Sequence, residues 1–165
     1  MEVENPTNKR AVAFNADTPH TPGWILDYVQ NEFPINNDPL DILTPWKGFS
    51  FKHPAHEEAQ LWVQKAVSES AKGNHSVLLV PANFNSIYWR EVVYRNCTDI
   101  RILVCPFRRP SAKKPVNCQM ALLVFAGRPE EELNQCCPIF AIEPAGWEEH
   151  YYKRARNKAR FTIQK

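Results

Sequence analysis

The segment from Trp46 to Ala66 constrains the fold of this chain more than any other segment. It holds a short strand pattern at Phe49–Phe51, a polar turn at Lys52–His56, and the start of a helical pattern that continues to Gly73. The helix begins with acidic side chains, which suit a first turn because they oppose the helix dipole. Open α/β sheets place their sites where a strand ends and the chain passes into a helix. The sequence therefore predicts a functional site at the turn His53–His56.

The composition indicates one ordinary globular domain. The chain has 165 residues, of which 44% are hydrophobic and 23% charged, and its net charge is +2. No run of eighteen apolar residues is present and the first residues lack the apolar core of a signal peptide, so we expect no membrane association. The five cysteines form no paired Cys-x-x-Cys units, which favours free thiols in a reducing compartment, cytoplasmic or nuclear. Cys136-Cys137 is either half of a zinc site or two buried thiols.

Three further apolar segments predict the remaining strands: Ser76–Val80, Asp99–Val104 and Met120–Phe125. The first is an unbroken apolar run, which is typical of a strand covered on both faces. A predicted helix at Ile87–Tyr94 separates the first two strands, so strands and helices alternate. The last two strands are joined too closely for a parallel crossover. We therefore predict an α/β fold: a Rossmann-like, mostly parallel sheet with an antiparallel edge hairpin and helices on both faces. In this sheet the strands that end at Phe51 and at Val80 should lie side by side and point in the same direction.

The chain divides into three predicted parts. Residues 1–15 are polar and form a flexible N-terminal arm, residues 16–128 form the α/β domain, and residues 129–165 form a C-terminal extension. The extension contains a basic helix at Lys153–Arg160, and we expect it to contact nucleic acid or other proteins. At the start of the domain, Thr21 is placed to cap a helix that Pro34 ends.

Four ordered segments form a larger pattern. They are Thr21-Pro22 before a helix ending at Phe33, Ile35–Pro39, the unit formed by Trp46, Phe49–Phe51 and Trp62–Ala66, and Val77–Ala82 with Trp89 downstream. In order and spacing this pattern resembles the small phage-type DNA N6-adenine methyltransferases, the Dam-like enzymes of bacteriophages and prophages. The resemblance covers about residues 21–125. It implies transfer of a methyl group from S-adenosylmethionine to adenine in DNA.

The resemblance also assigns the catalytic turn. His53-Pro54-Ala55-His56 stands where that family has Asn-Pro-Pro-Tyr, which implies His53, Pro54 and His56 as catalytic residues. In the family, the Asn oxygen and the first proline carbonyl accept hydrogen bonds from the adenine amino group, and the Tyr stacks on a flipped-out base. A neutral His53 could accept one such bond and the Pro54 carbonyl another. A protonated His53 could not, so activity should fall as the pH drops toward about 6.5.

Ligand contacts follow from the same resemblance. It implies that Thr21, Pro22, Asp38 and Pro81 contact S-adenosylmethionine. The chain between Asp38 and His53 is shorter than in the family by about a strand and a helix, a piece that would hold the ribose and adenine of the cofactor. Apart from the resemblance, the loop after the strand Asp99–Val104 is basic. It is either a solvated surface or, if it lies at the edge of the sheet near the site, a DNA phosphate contact formed by Arg108, Arg109, Lys113 and Lys114.

Several interpretations remain open. The chain is a divergent S-adenosylmethionine-dependent DNA adenine-N6 methyltransferase-like protein, or a non-catalytic nucleic-acid-binding or structural assembly protein that retains the fold, or a different histidine-dependent nucleic-acid enzyme on the same scaffold. Asp38 either caps a turn or contacts cofactor. His53 and His56 lack evident further ligands for a metal. Trp46, Trp62 and Trp89 are either core residues or base-stacking platforms.

Overall fold

The computed structural model describes residues 21–36, 38, 40–104, 119–127 and 137–142. It contains the helices α1 (Gly23–Glu32), α2 (Ala59–Ala71) and α3 (Tyr94–Asn96), and the strands β1 (Phe49–Lys52), β2 (His75–Pro81), β3 (Asp99–Leu103), β4 (Met120–Phe125) and β5 (Ile139–Ile142). A 3-10 turn, His56–Glu58, precedes α2, and a π-helical turn, Trp89–Val93, precedes α3. Within these described ranges no helix is long and apolar enough to cross a bilayer.

The five strands form one open, mixed sheet in the order β1-β2-β4-β3-β5. β1 and β2 are parallel, with Phe51 opposite Val77, and β3 and β5 are parallel, with Ile102 opposite Ala141. β4 runs antiparallel to both of its neighbours, β2 and β3. The predicted α/β class and the predicted parallel pairing of β1 with β2 are therefore confirmed.

The predicted place of the antiparallel pair is wrong. β3 and β4 do pair antiparallel, with Ile100 opposite Leu123, but β4 lies in the centre of the sheet and not at its edge. All six residues of β4 are buried, and burial of large apolar side chains stabilises by about 1.5–3 kcal/mol each, so a central position is favoured. Two of the four strand pairings among the described residues are antiparallel, so the sheet is mixed.

The buried apolar side chains form two clusters that use alternate residues of the same strands. One cluster combines α1 with Val77 and Leu79 of β2. The other combines α2 with Leu78 and Val80 of β2. Because successive strand residues point to opposite sides of a sheet, this alternation determines which helix packs against which residues.

Three tryptophans lie in the core. Trp46, Trp62 and Trp89 are all buried, and the rings of Trp46 and Trp62 stack with centroids 6.1 Å apart. The indole N–H of Trp46 donates to the Asp41 carbonyl at 2.8 Å, so its polar atom is satisfied. Of the two interpretations of these residues, the structure supports core packing over base stacking.

A buried carboxylate connects the chain segments that enter β1 and β2. Glu69 of α2 is 1% exposed; its Oε1 accepts from Lys65 at 2.8 Å and from Lys72 at 3.1 Å. Its Oε2 accepts from the backbone N–H of Trp46 at 3.2 Å and from the side-chain amide of Asn74 at 2.9 Å. Trp46 precedes β1 and Asn74 precedes β2, so Glu69 helps to hold the two parallel strands in register.

Glu69 should make the stability of the fold depend on pH. Burial alone raises the pKa of Glu69, but hydrogen bonds from its four partners outweigh this and lower the pKa from 4.5 to about 2. The stabilisation is therefore present above pH 4.5 and is lost as the pH falls toward about 2, by about 2–3 kcal/mol. Urea unfolding measures the free energy of unfolding of the native protein and of Glu69→Gln. The difference between the two should become smaller as the pH falls from 4.5 toward about 2. A difference that stays constant would contradict the assignment.

Candidate active site

The parallel strands β1 and β2 bring the ends of two chain segments to one edge of the sheet. β1 leads directly into His53 and Pro54, and β2 ends at Pro81. On the other side of β1, Ile35 pairs parallel with Phe49. The segment that leads from Ile35 toward Asp38 therefore runs in the same direction as β1. In open α/β sheets this carboxyl edge is where ligands bind.

The central contact at this edge joins Thr21 to His53. The Thr21 hydroxyl oxygen lies 2.8 Å from Nδ1 of His53, although 32 positions separate the two residues. Thr21 is 4% exposed and His53 is half-buried. The predicted cap role of Thr21 is wrong: Pro22 is the N-cap residue of α1 and no side chain caps the helix. The hydroxyl bonds to His53 instead.

The three predicted catalytic residues share one turn but differ in environment. Pro54 is buried, His53 is half-buried, and His56 is exposed at the start of the 3-10 turn. The Ala55 carbonyl accepts from the backbone N–H of Glu58 at 3.0 Å and so fixes the turn. An exposed imidazole at His56 has the accessibility that stacking on an extruded base requires.

A lysine that the sequence interpretation did not single out also lies at this turn. The ammonium of Lys52 sits 4.6 Å from the ring centroid of Trp62, a cation–π distance. The indole N–H of Trp62 donates to Glu58 at 3.3 Å. Lys52 is thus held in place next to His53 in the chain. Its charge gave no signal in the sequence, because single lysines at strand ends are common.

The loop after β2 is held by backbone and side-chain hydrogen bonds. The Ala82 N–H donates to the Gln119 carbonyl at 2.8 Å, which joins the end of β2 to the start of β4. The Gln119 side-chain amide donates to the Leu103 carbonyl at the end of β3. Ser86 donates to the Asn83 carbonyl at 2.8 Å and accepts from the Trp89 N–H at 3.2 Å. Three strand ends are therefore tied together at the candidate site.

Arg101 attaches α1 to the sheet and so supports the position of Thr21. It lies on β3 and donates to Asp99 at 2.9 Å and to the Tyr28 hydroxyl at 2.6 Å, and it pairs with Glu32 at 3.1 Å. Burial lowers the pKa of Arg101, but its bonds to Asp99 and Tyr28 raise it above the ordinary value. The guanidinium remains charged and binds the helix whose first turn follows Thr21.

The thiols and phenols near α3 form a second group of titratable side chains. Cys97 is a free thiol and is buried, and Cys137 is half-buried. Burial raises the pKa of the Cys97 thiol and of the Tyr88 phenol, and each is raised further by neighbouring groups, so both stay protonated at neutral pH. Within the part of the chain that the structure describes, no cluster of three or more His, Cys, Asp or Glu residues suits a metal ion.

The predicted ligand residues are placed as follows. Thr21, Pro22 and Pro81 lie at the edge described above, and Asp38 is exposed. The predicted DNA contacts Arg108, Arg109, Lys113 and Lys114 lie outside the described residues, as do Cys136 and the basic segment Lys153–Arg160. Val104 follows the end of β3, and Gln119 precedes the start of β4. Val104 and Gln119 lie at the same edge of the sheet as the end of β2, because Pro81 pairs with Met120.

Known proteins supply no independent assignment for this site. Searches against protein-family models, curated proteins and solved structures each gave no match to the chain.

Proposed function

We propose that this chain is a divergent S-adenosylmethionine-dependent DNA adenine-N6 methyltransferase-like protein with a Rossmann-like arrangement of helices on both faces of its sheet. One observation carries the proposal. The turn His53–His56 leaves β1 beside the end of the parallel strand β2, and the segment beginning at Ile35 runs alongside β1 on its other side. This is the arrangement that the resemblance to the phage-type enzymes requires.

The residues at the edge fit the proposed cofactor in part. Asp38 is exposed and follows Ile35, which pairs with β1, so its carboxylate is accessible to a ligand at this edge. The Thr21 hydroxyl forms a hydrogen bond with His53. The Thr21 side chain would therefore affect a bound cofactor through the position of His53. S-adenosylmethionine, when bound, supplies an electrophilic methyl group. The Pro54 carbonyl would accept from the adenine amino group and His56 would stack on the base.

Calorimetry tests cofactor binding directly. Titration with S-adenosylmethionine should give a saturable heat, and Asp38→Asn should weaken binding by about tenfold because a charged acceptor is lost. Asp27→Asn is the matched control, because Asp27 is an exposed carboxylate on α1 and should bind normally. Absence of heat at millimolar cofactor would reject the proposal.

Replacing His53 by asparagine should raise methyl transfer. An amide oxygen is always an acceptor for the adenine amino group, whereas a ring nitrogen accepts only in one tautomer. We expect His53→Asn to form N6-methyladenine at least about tenfold faster than the native protein, and His53→Ala to form none above background. Mass spectrometry of digested DNA measures the product. His75→Asn, at the amino end of β2, is the control and should match the native rate. A His53→Asn rate no higher than native would count against the assigned role.

A non-catalytic function is the second candidate. The Thr21–His53 contact favours it, because each side chain satisfies a polar atom of the other within the protein. Under this alternative the chain binds nucleic acid or other proteins and retains the sheet without the reaction. DNA binding measured by fluorescence anisotropy, together with no cofactor heat and no product from any variant, would select this alternative.

A further inference from the structure

A hydrogen bond between the start of β2 and the end of β4 depends on the protonation of one histidine. Nδ1 of His75 accepts from the backbone N–H of Gly127 at 2.8 Å. We propose that this bond is a pH-sensitive latch: the neutral ring of His75 holds the backbone of Gly127, and protonation of the ring releases it. The latch lies at the amino end of β2, opposite to the edge that holds the candidate active site, and it does not depend on the proposed function.

The direction of this hydrogen bond follows from the chemistry of its two atoms. A backbone N–H donates and cannot accept, so Nδ1 of His75 must carry a lone pair, and the hydrogen of the neutral ring must lie on Nε2. A protonated imidazole carries hydrogen on both of its nitrogens. Protonation would therefore set an N–H of the ring against the N–H of Gly127, and the bond could not form.

The ring of His75 is held in place by stacked aromatic side chains. His75 pairs with Phe49 of β1, and the two rings stack with centroids 5.1 Å apart and planes 16° apart. Phe49 in turn stacks on Phe33 with centroids 5.2 Å apart. The backbone N–H of His75 donates to the Gly48 carbonyl at 3.0 Å. Because the backbone and the ring plane of His75 are both fixed, we expect Gly127 rather than His75 to move when the bond is lost.

Gly127 is attached less firmly than the residue before it. Within the described part of the chain, the Gly127 N–H has His75 as its acceptor and no other. The Ala126 N–H donates to the Thr98 hydroxyl at 2.8 Å, and the Ala126 carbonyl accepts from the Ser70 hydroxyl at 3.1 Å. Neither of these two bonds involves His75. Release should therefore begin at Gly127 and leave the end of β4 in place.

Among the described residues, no carboxylate pairs with the ring of His75. The ring faces an apolar side chain of β1 and a backbone N–H at the end of β4, and neither of these titrates. The ionisable side chains nearest in the chain are Lys47 before β1 and Glu69 and Lys72 at the end of α2. Lys47 and Lys72 are cations, and Glu69 already bonds to Lys72 at 3.1 Å. A positive charge on His75 would thus lose the bond to Gly127 and gain no ion pair with these side chains.

Nitrogen-15 NMR of the whole chain tests the latch without any ligand. The His75 ring and the Gly127 amide are followed from about pH 8 to about pH 5.5, where imidazoles change their charge and Glu69 stays ionised. In the neutral ring we expect hydrogen on Nε2 and none on Nδ1. The Gly127 amide signal should change with the same midpoint as the ring signals. Its protection from hydrogen exchange should fall about three- to tenfold, as expected for the loss of one hydrogen bond.

Two substitutions and one neighbouring amide provide the controls. His75→Asn identifies the ring signals, and its amide oxygen replaces Nδ1 by an acceptor that does not titrate, so Gly127 should stay protected over the whole range. His75→Phe retains the stack and removes the acceptor, so Gly127 should be poorly protected already at about pH 8. The Gly73 amide donates to the Ser70 carbonyl at 3.0 Å and should keep its protection in every variant.

Three results would overturn the latch. They are hydrogen on Nδ1 of the neutral His75 ring, a Gly127 amide that does not respond when the ring is protonated, and a pH response of Gly127 in His75→Asn equal to that of the native protein. If His75→Phe does not fold, the native protein and His75→Asn decide between the outcomes.

Discussion

Replacing Glu69 by alanine is expected to lower the free energy of unfolding by about 3–5 kcal/mol. The substitution leaves the ammonium of Lys65, which is 14% exposed, without its carboxylate. It also removes the acceptor of the Trp46 N–H and of the Asn74 amide, which the 1% exposed Glu69 side chain supplies. Urea unfolding followed by tryptophan fluorescence measures the loss, since Trp46 reports on the same cluster.

Glu91 provides the matched control for Glu69. It also pairs with a cation one helical turn away, Arg95 at 3.0 Å, but the two side chains are 55% and 69% exposed. An exposed pair contributes little because water and salt screen it, so Glu91→Ala should change the stability by less than about 1 kcal/mol. Comparable losses in the two variants would show that burial of Glu69 does not determine its contribution.

Replacing Gly127 by alanine is expected to destabilise the fold by about 3 kcal/mol. A Cβ at this position would lie 2.6 Å from the carbonyl carbon of Gly73, which is closer than such atoms approach. Gly73 cannot easily move aside. It follows the C-terminus of α2 with a φ of +89°, a left-handed backbone conformation that favours glycine. The Gly127 N–H also donates to His75 at 2.8 Å, so a shift of either backbone would strain that bond.

Gly23→Ala is the control for this second substitution. Gly23 is the first residue of α1, and a Cβ there would have no atom within 4 Å. Alanine restricts the unfolded chain more than glycine does, so this variant should be more stable by about 0.5 kcal/mol. Thermal unfolding should therefore shift in opposite directions for the two glycine variants. A small or stabilising effect of Gly127→Ala would show that the fold accommodates a Cβ next to the Gly73 backbone.

The best predicted elements are those that local sequence specifies strongly. Met120–Phe125 is an unbroken apolar run, and the structure has a strand with the same bounds. β2 extends its predicted segment by one residue at each end, from His75 to Pro81. The length of these runs is typical of a buried strand and too short for a buried helix, and Pro81 and Gly127 follow them in the chain. β5 was not predicted, because three of its four residues are exposed and the segment is too short to give a periodic signal.

The sequence also predicted that β1 and β2 would lie side by side and parallel, because the helix between them has the length of a crossover connection. The central place of β4 could not be predicted in the same way. An antiparallel pair of β3 and β4 can form at the edge of a sheet or within it. The choice depends on which strand best fills the space beside β2, which is a property of the assembled core.

By itself, the sequence determined the α/β class, the strand–turn–helix unit around His53 and, to within one residue, the bounds of β2 and β4, because these depend on local hydrophobic patterns. Only the tertiary structure decided the strand order, the burial of Glu69 and the hydrogen bond between Thr21 and His53. The strand order depends on how side chains fill the assembled core. The burial of Glu69 and the bond between Thr21 and His53 depend on which polar atoms remain to be satisfied after distant segments have packed. No local pattern contains either kind of information.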